Sequence, residues 1–414
     1  MNRRGKFSGT IPIDLILEIF SRLPVKSVGR FRCLSKLFGS MLSGPYFTEL
    51  FLTRSSTRPS LFFAFERDGE WSFFSSRQLH NPSGKSPLVV FAGFHLRFSR
   101  YMWPKFCGLT SGLIYFSSIR ISNSDMEGEV PVIINPRTRQ YVSLPKPGRY
   151  SRNFILGFDP IDKQFKVLFV AYFADEYRIL TLGTGRMKWR KINCPLTHVP
   201  SGAPLSREIC INGVLYYLAT TDDKIPYVIV CFDVRSEKFR FIHAECYDKL
   251  INYKGKLGGM KLKYDGDGNT LELHMWVLED VEKQEWSKYT FYTLWGDKIV
   301  NPLGVYVAGV TTMGDIVLSM NYTSRKSRPF YVFYFNPERN TLQKVQIQGL
   351  GGYYDENRHR VYAFVDHVDD LYVNDAKYFK SSQDPNIIRE RQKLSKRKSL
   401  TLKLSKRQKN LQFS

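Results

Sequence analysis

The sequence is poor in cysteine, and its cysteines are far apart. The 414 residues include six of them, and no two are spaced as Cys-x-x-Cys; they are Cys33, Cys107, Cys194, Cys210, Cys231 and Cys246. Structural zinc sites and disulfide frameworks of small secreted domains both depend on closely spaced cysteines. Neither is expected here, so we predict reduced thiols that are mostly buried.

Long apolar runs are also missing. No stretch approaches the roughly 20 apolar residues that a membrane-spanning helix requires, and residues 1–10 lack the apolar segment of a signal peptide. Hydrophobic residues still make up 43% of the chain and aromatic residues 15%. We therefore expect a soluble, folded protein of the nucleus and/or cytoplasm, with no membrane partner.

Recognisable catalytic and metal-binding patterns are absent as well. The sequence has no Gly-x-Ser-x-Gly nucleophile elbow, and its seven histidines are scattered without metal-ligand spacing. Asp265-Gly-Asp-Gly-Asn269 resembles the start of a calcium loop, but the required glycine would fall at Thr270 and the bidentate glutamate at Trp276. We therefore expect a protein that is not an enzyme, with no catalytic residues, metal site or cofactor.

Acidic residues are few relative to basic ones, which gives a formal net charge of +23. Residues 386–414 hold ten Lys or Arg against one Glu and so contribute +9 of that excess. This tail has three interpretations: a solvated disordered segment, a nuclear-import signal, or a contact with nucleic acid. The residues of the possible import signal are Lys396, Arg397, Lys398, Lys406 and Arg407.

The N-terminal stretch from residue 11 to residue 51 carries more apolar surface than so short a segment can bury by itself. Pro12 suits the first position of a helix, Asp14 lies in its first turn, and Pro24 ends it. Two more short helices are predicted, from about Val25 to Leu34 and from the cap residue Ser35 to Gly44. Such a unit needs a partner, which is either the rest of the chain or another protein.

Four spaced elements in this stretch resemble the plant F-box motif. They are Ile-Pro-x-Asp-Leu-x-x-Glu-Ile (11–19), Arg-Leu-Pro-Val-Lys-Ser (22–27), Arg-Phe-Arg-Cys-Leu-Ser-Lys (30–36) and Gly-Pro-Tyr-Phe (44–47). The sequence has Ile11 where the family often has Leu, Phe38 where it has Trp, and Phe51 where it has His. The alternative is an ordinary helical cap packed on the following domain.

The resemblance implies that the three helices dock a Skp-type adaptor and, through it, a cullin. Apolar anchors would occupy grooves of the adaptor, while Lys26 and Arg30 would meet its acidic rim. The predicted adaptor-binding residues are Ile11, Pro12, Leu15, Ile19, Leu23, Pro24 and Val28.

The long middle of the chain, residues 57–380, consists of short apolar strands separated by turn residues, which indicates a mainly β fold. One kind of hairpin starts at Asn135, Leu182, Phe232, Leu278 and Phe335. A second kind, a Gly or Asp turn before an apolar strand, starts at Gly112, Asp159, Gly213, Gly266 and Gly314. Both recur with a period near 50 residues, which is in the kelch-like range.

Two interleaved hairpins per period give four strands, the content of one propeller blade, so we predict a kelch-like β-propeller of about six blades. The strand pair from Leu61 would open the ring, and the strand from Arg360 would help to close it. The elements Asn135–Gln140 and Leu156–Pro160 also resemble the F-box-associated family. The predicted domains are thus the F-box (1–56), the propeller (57–380) and the basic tail (381–414).

Together the two resemblances imply a non-catalytic substrate receptor of a Skp–cullin–F-box ubiquitin ligase, whose propeller holds a target protein of unknown identity. The alternative is a basic propeller that binds nucleic acid or serves as a ligase-independent scaffold. Phosphate binding weakens steeply as salt rises, whereas docking of apolar helices does not. Salt dependence therefore separates the two hypotheses.

Overall fold

A computed structural model describes the chain from residue 11 to residue 371 with several gaps. The gaps are residues 80–87, 103, 121–128, 148–152, 172–175, 184–186, 202–207, 222–226, 245–246, 265–269, 296–303, 324–328, 351–358 and 370. The basic tail, including all five residues of the possible import signal, lies outside the described residues.

The N-terminal part forms four helices, one more than the three predicted. They are α1 (Ile13–Ser21), α2 (Val25–Arg32), α3 (Lys36–Ser43) and α4 (Pro45–Ser56). Pro12 and Pro24 precede the first two, and the Ser35 hydroxyl accepts a hydrogen bond from the Phe38 N–H at 3.2 Å. Gly44 ends α3 and also begins α4, because Pro45 is pre-set for a first helical position. In the part of the chain that the structure describes, no helix is long and apolar enough to cross a bilayer.

The core of this helical domain draws on every helix and on one residue from the far end of the chain. Phe51, where the resembled family has His, is almost completely buried and belongs to this core. The buried residues are Leu17, Phe20, Val25, Val28, Leu42, Phe47, Phe51 and Leu371. Leu371 follows the last strand of the propeller, so the chain returns to the helices after the ring is complete.

The remainder of the described chain forms 25 strands and a 3₁₀ turn at Arg100–Met102. The first twelve strands are β1 (Ser60–Arg67), β2 (Glu70–Arg77), β3 (Leu88–Phe98), β4 (Lys105–Thr110), β5 (Leu113–Arg120), β6 (Glu129–Ile134), β7 (Tyr141–Ser143), β8 (Asn153–Asp159), β9 (Gln164–Val170), β10 (Tyr177–Thr181), β11 (Arg190–Ile192) and β12 (Val199–Pro200).

The remaining strands follow the same up-and-down order. They are β13 (Glu208–Ile211), β14 (Val214–Thr220), β15 (Val228–Asp233), β16 (Phe239–His243), β17 (Lys249–Tyr253), β18 (Lys256–Tyr264), β19 (Thr270–Asp280), β20 (Glu285–Leu294), β21 (Val305–Val310), β22 (Ile316–Met320), β23 (Phe330–Asn336), β24 (Thr341–Gln348) and β25 (Arg360–His367).

These strands are arranged as six antiparallel blades of a propeller, as the repeat period predicts. Blade 1 has the order β25-β1-β2-β3, and blades 2 and 3 are β4 to β7 and β8 to β11. Blade 4 is β13 to β16 with the short β12 added, and blades 5 and 6 are β17 to β20 and β21 to β24. The first strand of each blade lines a central channel.

The ring is closed by the C-terminal strand, as the sequence predicts. Strand β25 pairs antiparallel with β1, where Phe62 lies opposite Phe364 and Phe65 opposite Val361. The outermost strands of blades 6 and 1 also pair, in parallel, with Val345 opposite Leu88. Blade 1 thus joins residues from the two ends of the propeller segment.

Apolar side chains fill the six spaces between neighbouring blades. Successive residues of a strand point to opposite faces, so each blade serves two such clusters. Phe62 and Phe73 pack toward blade 2, while their chain neighbours Phe63 and Phe74 pack toward blade 6. Aromatic residues therefore act mainly as core here, which accounts for much of their abundance.

The predicted hairpin series holds except for one member. All five hairpins of the first kind join the two outer strands of a blade, and four of the second kind join the two inner strands. The fifth, Gly266, lies between β18 and β19, the two middle strands of blade 5. Residues 265–269 are outside the described residues. The matching turn of blade 5 is Lys254-Gly255, with φ of 52° and 87°, a left-handed pair that favours glycine at the second position.

The two domains meet at a charged joint next to the propeller channel. Arg137 and Asp369 form an ion pair, with 2.7 Å from Nε to Oδ1. Burial raises the pKa of Asp369, and the guanidinium of Arg137 opposes that shift. Val25 of α2 lines a cavity of about 10 Å³ together with both residues. The helices are therefore packed on the propeller rather than joined to it by the chain alone.

A candidate docking surface on the helical domain

The first helix presents large apolar side chains to solvent. Leu15 and Ile19 are 55% and 56% exposed, and their spacing of four residues places them on one face of α1. Ile11 and Pro12 extend this exposed surface at the start of the helix, and Pro24 extends it past the end. We call the predicted residues other than Val28 the docking surface: Ile11, Pro12, Leu15, Ile19, Leu23 and Pro24.

Two of the predicted adaptor-binding residues point inward to different degrees. Val28 is completely buried in the core of the helical domain, so the prediction that it contacts a partner is wrong. It lies on the side of α2 that packs against the other helices, and a repeat of apolar residues alone does not distinguish that side from an exposed one. Leu23 is half-buried and packs against the same core, which leaves one edge of the side chain accessible.

Sequence reasoning missed several exposed apolar residues. Ile13, Leu34, Leu37 and Tyr46 are all more than half exposed, and Leu37 reaches 71%. Leu34 and Leu37 flank the cap residue Ser35, where one helix ends and the next begins. At the end of a helix, a side chain on the apolar face can be exposed because no neighbouring helix covers it there. A capping residue between two apolar residues is the signal that could have identified them.

An aromatic cluster supports the docking surface from below. The ring centroids of Phe20 and Phe31 are 4.7 Å apart, and those of Phe20 and Phe38 are 5.6 Å apart, all in edge-to-face geometry. Phe38 thus occupies the place of the family's Trp with an aromatic contact retained. The side chain of Arg32 donates from Nε to the Leu42 carbonyl at 3.0 Å, which ties α2 to the end of α3.

Charges beside the docking surface are held by ion pairs. Glu18 accepts from Arg22 at 2.8 Å and from Arg54 of α4 at 2.6 Å. The hydrogen bond from Arg22, followed by the charges of both arginines, lowers the pKa of the Glu18 carboxyl despite an opposing desolvation effect. Glu18 and its two arginine partners therefore form a polar edge beside the apolar side chains of Leu15 and Ile19.

The two cations predicted to meet an acidic partner face different surroundings. Partial burial, together with the guanidiniums of Arg139 and Arg137, lowers the pKa of Lys26. Lys26 is exposed and lies near the charges of the joint, and its contact with an acidic partner stays a prediction. Arg30 is exposed and keeps the position expected of a contact with an acidic surface.

The cysteines of the described residues offer little reactive thiolate. Cys33, Cys194, Cys210 and Cys231 are free thiols, and burial raises the pKa of Cys210 to about 11 and that of Cys231 to about 12. These shifts oppose thiolate formation. Within the described ranges, no group of three or more His, Cys, Asp or Glu side chains could hold a metal ion.

Comparisons with known proteins agree for both parts of the chain. Residues 10–50 match the F-box domain, and residues 60–368 match the F-box associated beta propeller domain. One F-box protein of Arabidopsis thaliana is 53% identical over 393 residues, which covers 90% of this chain and 93% of the relative. A second is 47% identical over 425 residues and covers 91% and 97%.

Among solved structures, the β-propeller domain of the Trilobed protease from Pyrococcus furiosus is similar over 58% of this chain and 71% of that one. Its sequence identity is 12% and its TM-score is 0.33. A likeness at this level carries no argument about function.

Proposed function

Because the chain belongs to the F-box proteins that carry an F-box associated β-propeller domain, we propose that it is the substrate-recognition subunit of a Skp–cullin–F-box ubiquitin ligase. The helical domain docks a Skp-type adaptor, and the propeller holds a target protein. The chain itself performs no bond chemistry. It accelerates ubiquitin transfer by holding lysines of the target near a charged conjugating enzyme.

One observation carries this proposal beyond family membership: the apolar face of α1 that Leu15 and Ile19 leave in solvent. Apolar side chains at the centre of an interface contribute most of its binding energy. The bound adaptor would remove both side chains from water, and Arg30 would remain at the rim. Val28, which lies in the core, would act only by keeping α2 in place.

Co-purification with a Skp-type adaptor tests the proposal. The wild-type chain is expected to bind the adaptor, and Leu15→Asp plus Ile19→Asp is expected to weaken binding by at least about 100-fold, because each Asp would be desolvated without a partner. The matched control is Phe91→Asp plus Tyr289→Asp, which places two charges at exposed apolar positions of the propeller and should bind like wild type.

Two results would contradict the proposal at different points. A wild-type chain that does not bind the adaptor removes the ligase role altogether. A double variant of α1 that binds as well as wild type removes the docking surface defined above. Repeating the measurement over a range of salt concentrations also separates apolar docking from the phosphate binding that the net charge of +23 permits, because only the latter weakens steeply with salt.

We further propose that the protein acts in the nucleus and/or cytoplasm, with entry to the nucleus aided by the basic clusters of the tail. Lys396-Arg397-Lys398 and Lys406-Arg407 support the import role by their spacing. Deleting residues 386–414 and imaging the protein in cells measures this contribution. An unchanged nuclear fraction would contradict it.

A further inference from the structure

The central channel of the propeller encloses a cavity of about 420 Å³. The innermost strands of all six blades contribute to its wall, and Leu52 and Ser56 of α4 complete part of it. Ligand sites in proteins occupy about 300 to 1,000 Å³ and are mostly apolar with a few placed polar groups. The channel has the size of a small-molecule site.

Glu208 brings an acid into this channel without a partner. It is the first residue of β13 and lines the cavity. Its Oε1 atom is buried and has no hydrogen-bond partner among the described residues. Burial alone raises the pKa of this carboxyl well above its ordinary value. A buried acid without a donor is costly and is uncommon in folded proteins.

Lys249 brings a cation into the same channel. It is the first residue of β17, the innermost strand of the neighbouring blade, and it also lines the cavity. Burial is the sole cause that lowers the pKa of its ammonium, to about 8. In the described parts of the chain the side chain of Lys249 has no hydrogen bond or ion pair, and no carboxylate raises its pKa.

The third charged residue of the channel wall, Asp366, is hydrogen-bonded by the protein, unlike Glu208 Oε1. Asp366 accepts from the side chain of Gln78 at 2.5 Å and from the Thr312 N–H at 2.8 Å. Both of its oxygens are thus satisfied by the protein. Among the described residues, Glu208 Oε1 and the Lys249 ammonium have no such partner, although both residues lie on regular strands.

Part of the channel wall is apolar. Leu109 and Ile209 line the cavity and are half-buried, so their side chains keep accessible surface. Phe158 and Phe364 add two aromatic rings to the same wall. A ligand that satisfied both charges would therefore lay a hydrocarbon segment against these side chains.

We propose that the central channel binds a small amphoteric molecule of the ω-amino acid type, whose ammonium pairs with Glu208 and whose carboxylate pairs with Lys249 across an apolar spacer. Each end of the ligand places an opposite charge beside Glu208 or Lys249, and the spacer displaces water from the apolar wall. This binding does not require the adaptor, and it adds a ligand to the propeller that the proposed ligase role leaves unspecified.

Calorimetric titration of the full chain with ω-amino acids of three to eight carbons tests the proposal. One chain length is expected to bind best, and at least about tenfold more tightly than either the matched alkanoate or the matched alkylamine, because each of these satisfies a single buried charge. Pairing with the ligand ammonium should lower the raised pKa of Glu208, and titrations in buffers of different ionisation enthalpy detect the protons that this releases.

Variants assign the binding to the two residues. Glu208→Gln and Lys249→Gln should each weaken binding of the best ω-amino acid by at least about tenfold. Glu285→Gln and Lys263→Gln change the same residue types at exposed positions of blade 5 and should leave it unchanged. Absence of binding by any member of the series at 10 mM, equal affinity for the singly charged analogues, or full affinity in both channel variants would overturn the proposal.

Discussion

The helical domain and the propeller channel depart from the ordinary distribution of polarity in opposite ways. The helical domain leaves Leu15 and Ile19 in water, whereas the channel holds an acid and an ammonium for which the described residues supply no partner. Exposed apolar clusters and buried unpaired charges are both costly. The comparison shows that an exposed apolar surface and a buried charge can each mark a place where a second molecule binds.

The joint between the domains provides the reference for both. There Arg137 and Asp369 are close enough to pair directly, and Val25 is buried beside them. Opposite charges pair with each other there, and an apolar side chain packs against the propeller. The ion pair sets the two opposite charges of the joint against each other within the chain itself, which is why we assign the joint a structural role.

The largest expected effect separates the docking surface from the core beneath it. Val28→Asp should lower the free energy of unfolding of the helical domain by more than about 4 kcal/mol, because it buries an unpaired charge. Ile19→Asp should change it by no more than about 0.5 kcal/mol, since that side chain already lies in water. Hydrogen exchange of the helical amides measures both, and similar losses in the two variants would contradict the division into surface and core.

The second prediction concerns the cation of the channel. Burial lowers the pKa of Lys249 from its ordinary 10.5 to about 8, so the charged form costs the empty protein about 3 kcal/mol at neutral pH. Lys249→Met should raise the free energy of unfolding by about this amount at pH 7. The gain should shrink as pH rises from 8 and vanish above about 10.5, where the folded and unfolded chains are both neutral at this residue.

Urea unfolding at pH 7 and at pH 10.5 provides the measurement, with Lys263→Met as the exposed control. A variant that is no more stable than wild type at pH 7 would show that Lys249 is already compensated, and the channel would then lose its resemblance to an incomplete site.

The smallest effect is the pH dependence that the acid of the channel imposes. Burial raises the pKa of Glu208 in the folded chain, so the unfolded chain releases this proton first as pH rises. Above pH 4.5 this residue should therefore reduce stability with a slope of at most about 1.4 kcal/mol for each pH unit. Glu208→Gln should remove that slope between pH 5 and 7.

Unfolding measured across that range in wild type, Glu208→Gln and Glu285→Gln isolates the contribution. Parallel profiles for the wild type and Glu208→Gln would show that the acid has found a partner in solution.

The sequence predicted what local turns and caps determine. The hairpins from Asn135 and Phe335 and the cap at Ser35 were confirmed, because each depends on neighbouring residues. The closing strand from Arg360 was confirmed as well, and it followed from the repeat rather than from a local turn. Gly266 lies outside the described residues, and the strand that follows it is the third of blade 5 rather than the second. Only the pairing of β17 with β18 identifies the turn at Gly255 as the one that joins the two inner strands.

The candidate sites were predictable to different extents. Leu15 and Ile19 followed from helical spacing and the F-box resemblance, but the burial of Val28 depends on how four helices pack. Glu208 and Lys249 are 41 positions apart in the chain, and nothing local indicates that they line one cavity. They come together because the ring closes, which is a property of all six blades at once.

Leu371 in the core of the helical domain also has a consequence for how the protein is made. The ribosome synthesises Leu17 first and reaches its core neighbour Leu371 354 positions later, which at 5 to 20 residues per second takes about 20 to 70 s. During that interval the α1 face already exists in a chain whose propeller is unfinished. Any protein that binds the helices during that interval would meet them before their core is complete.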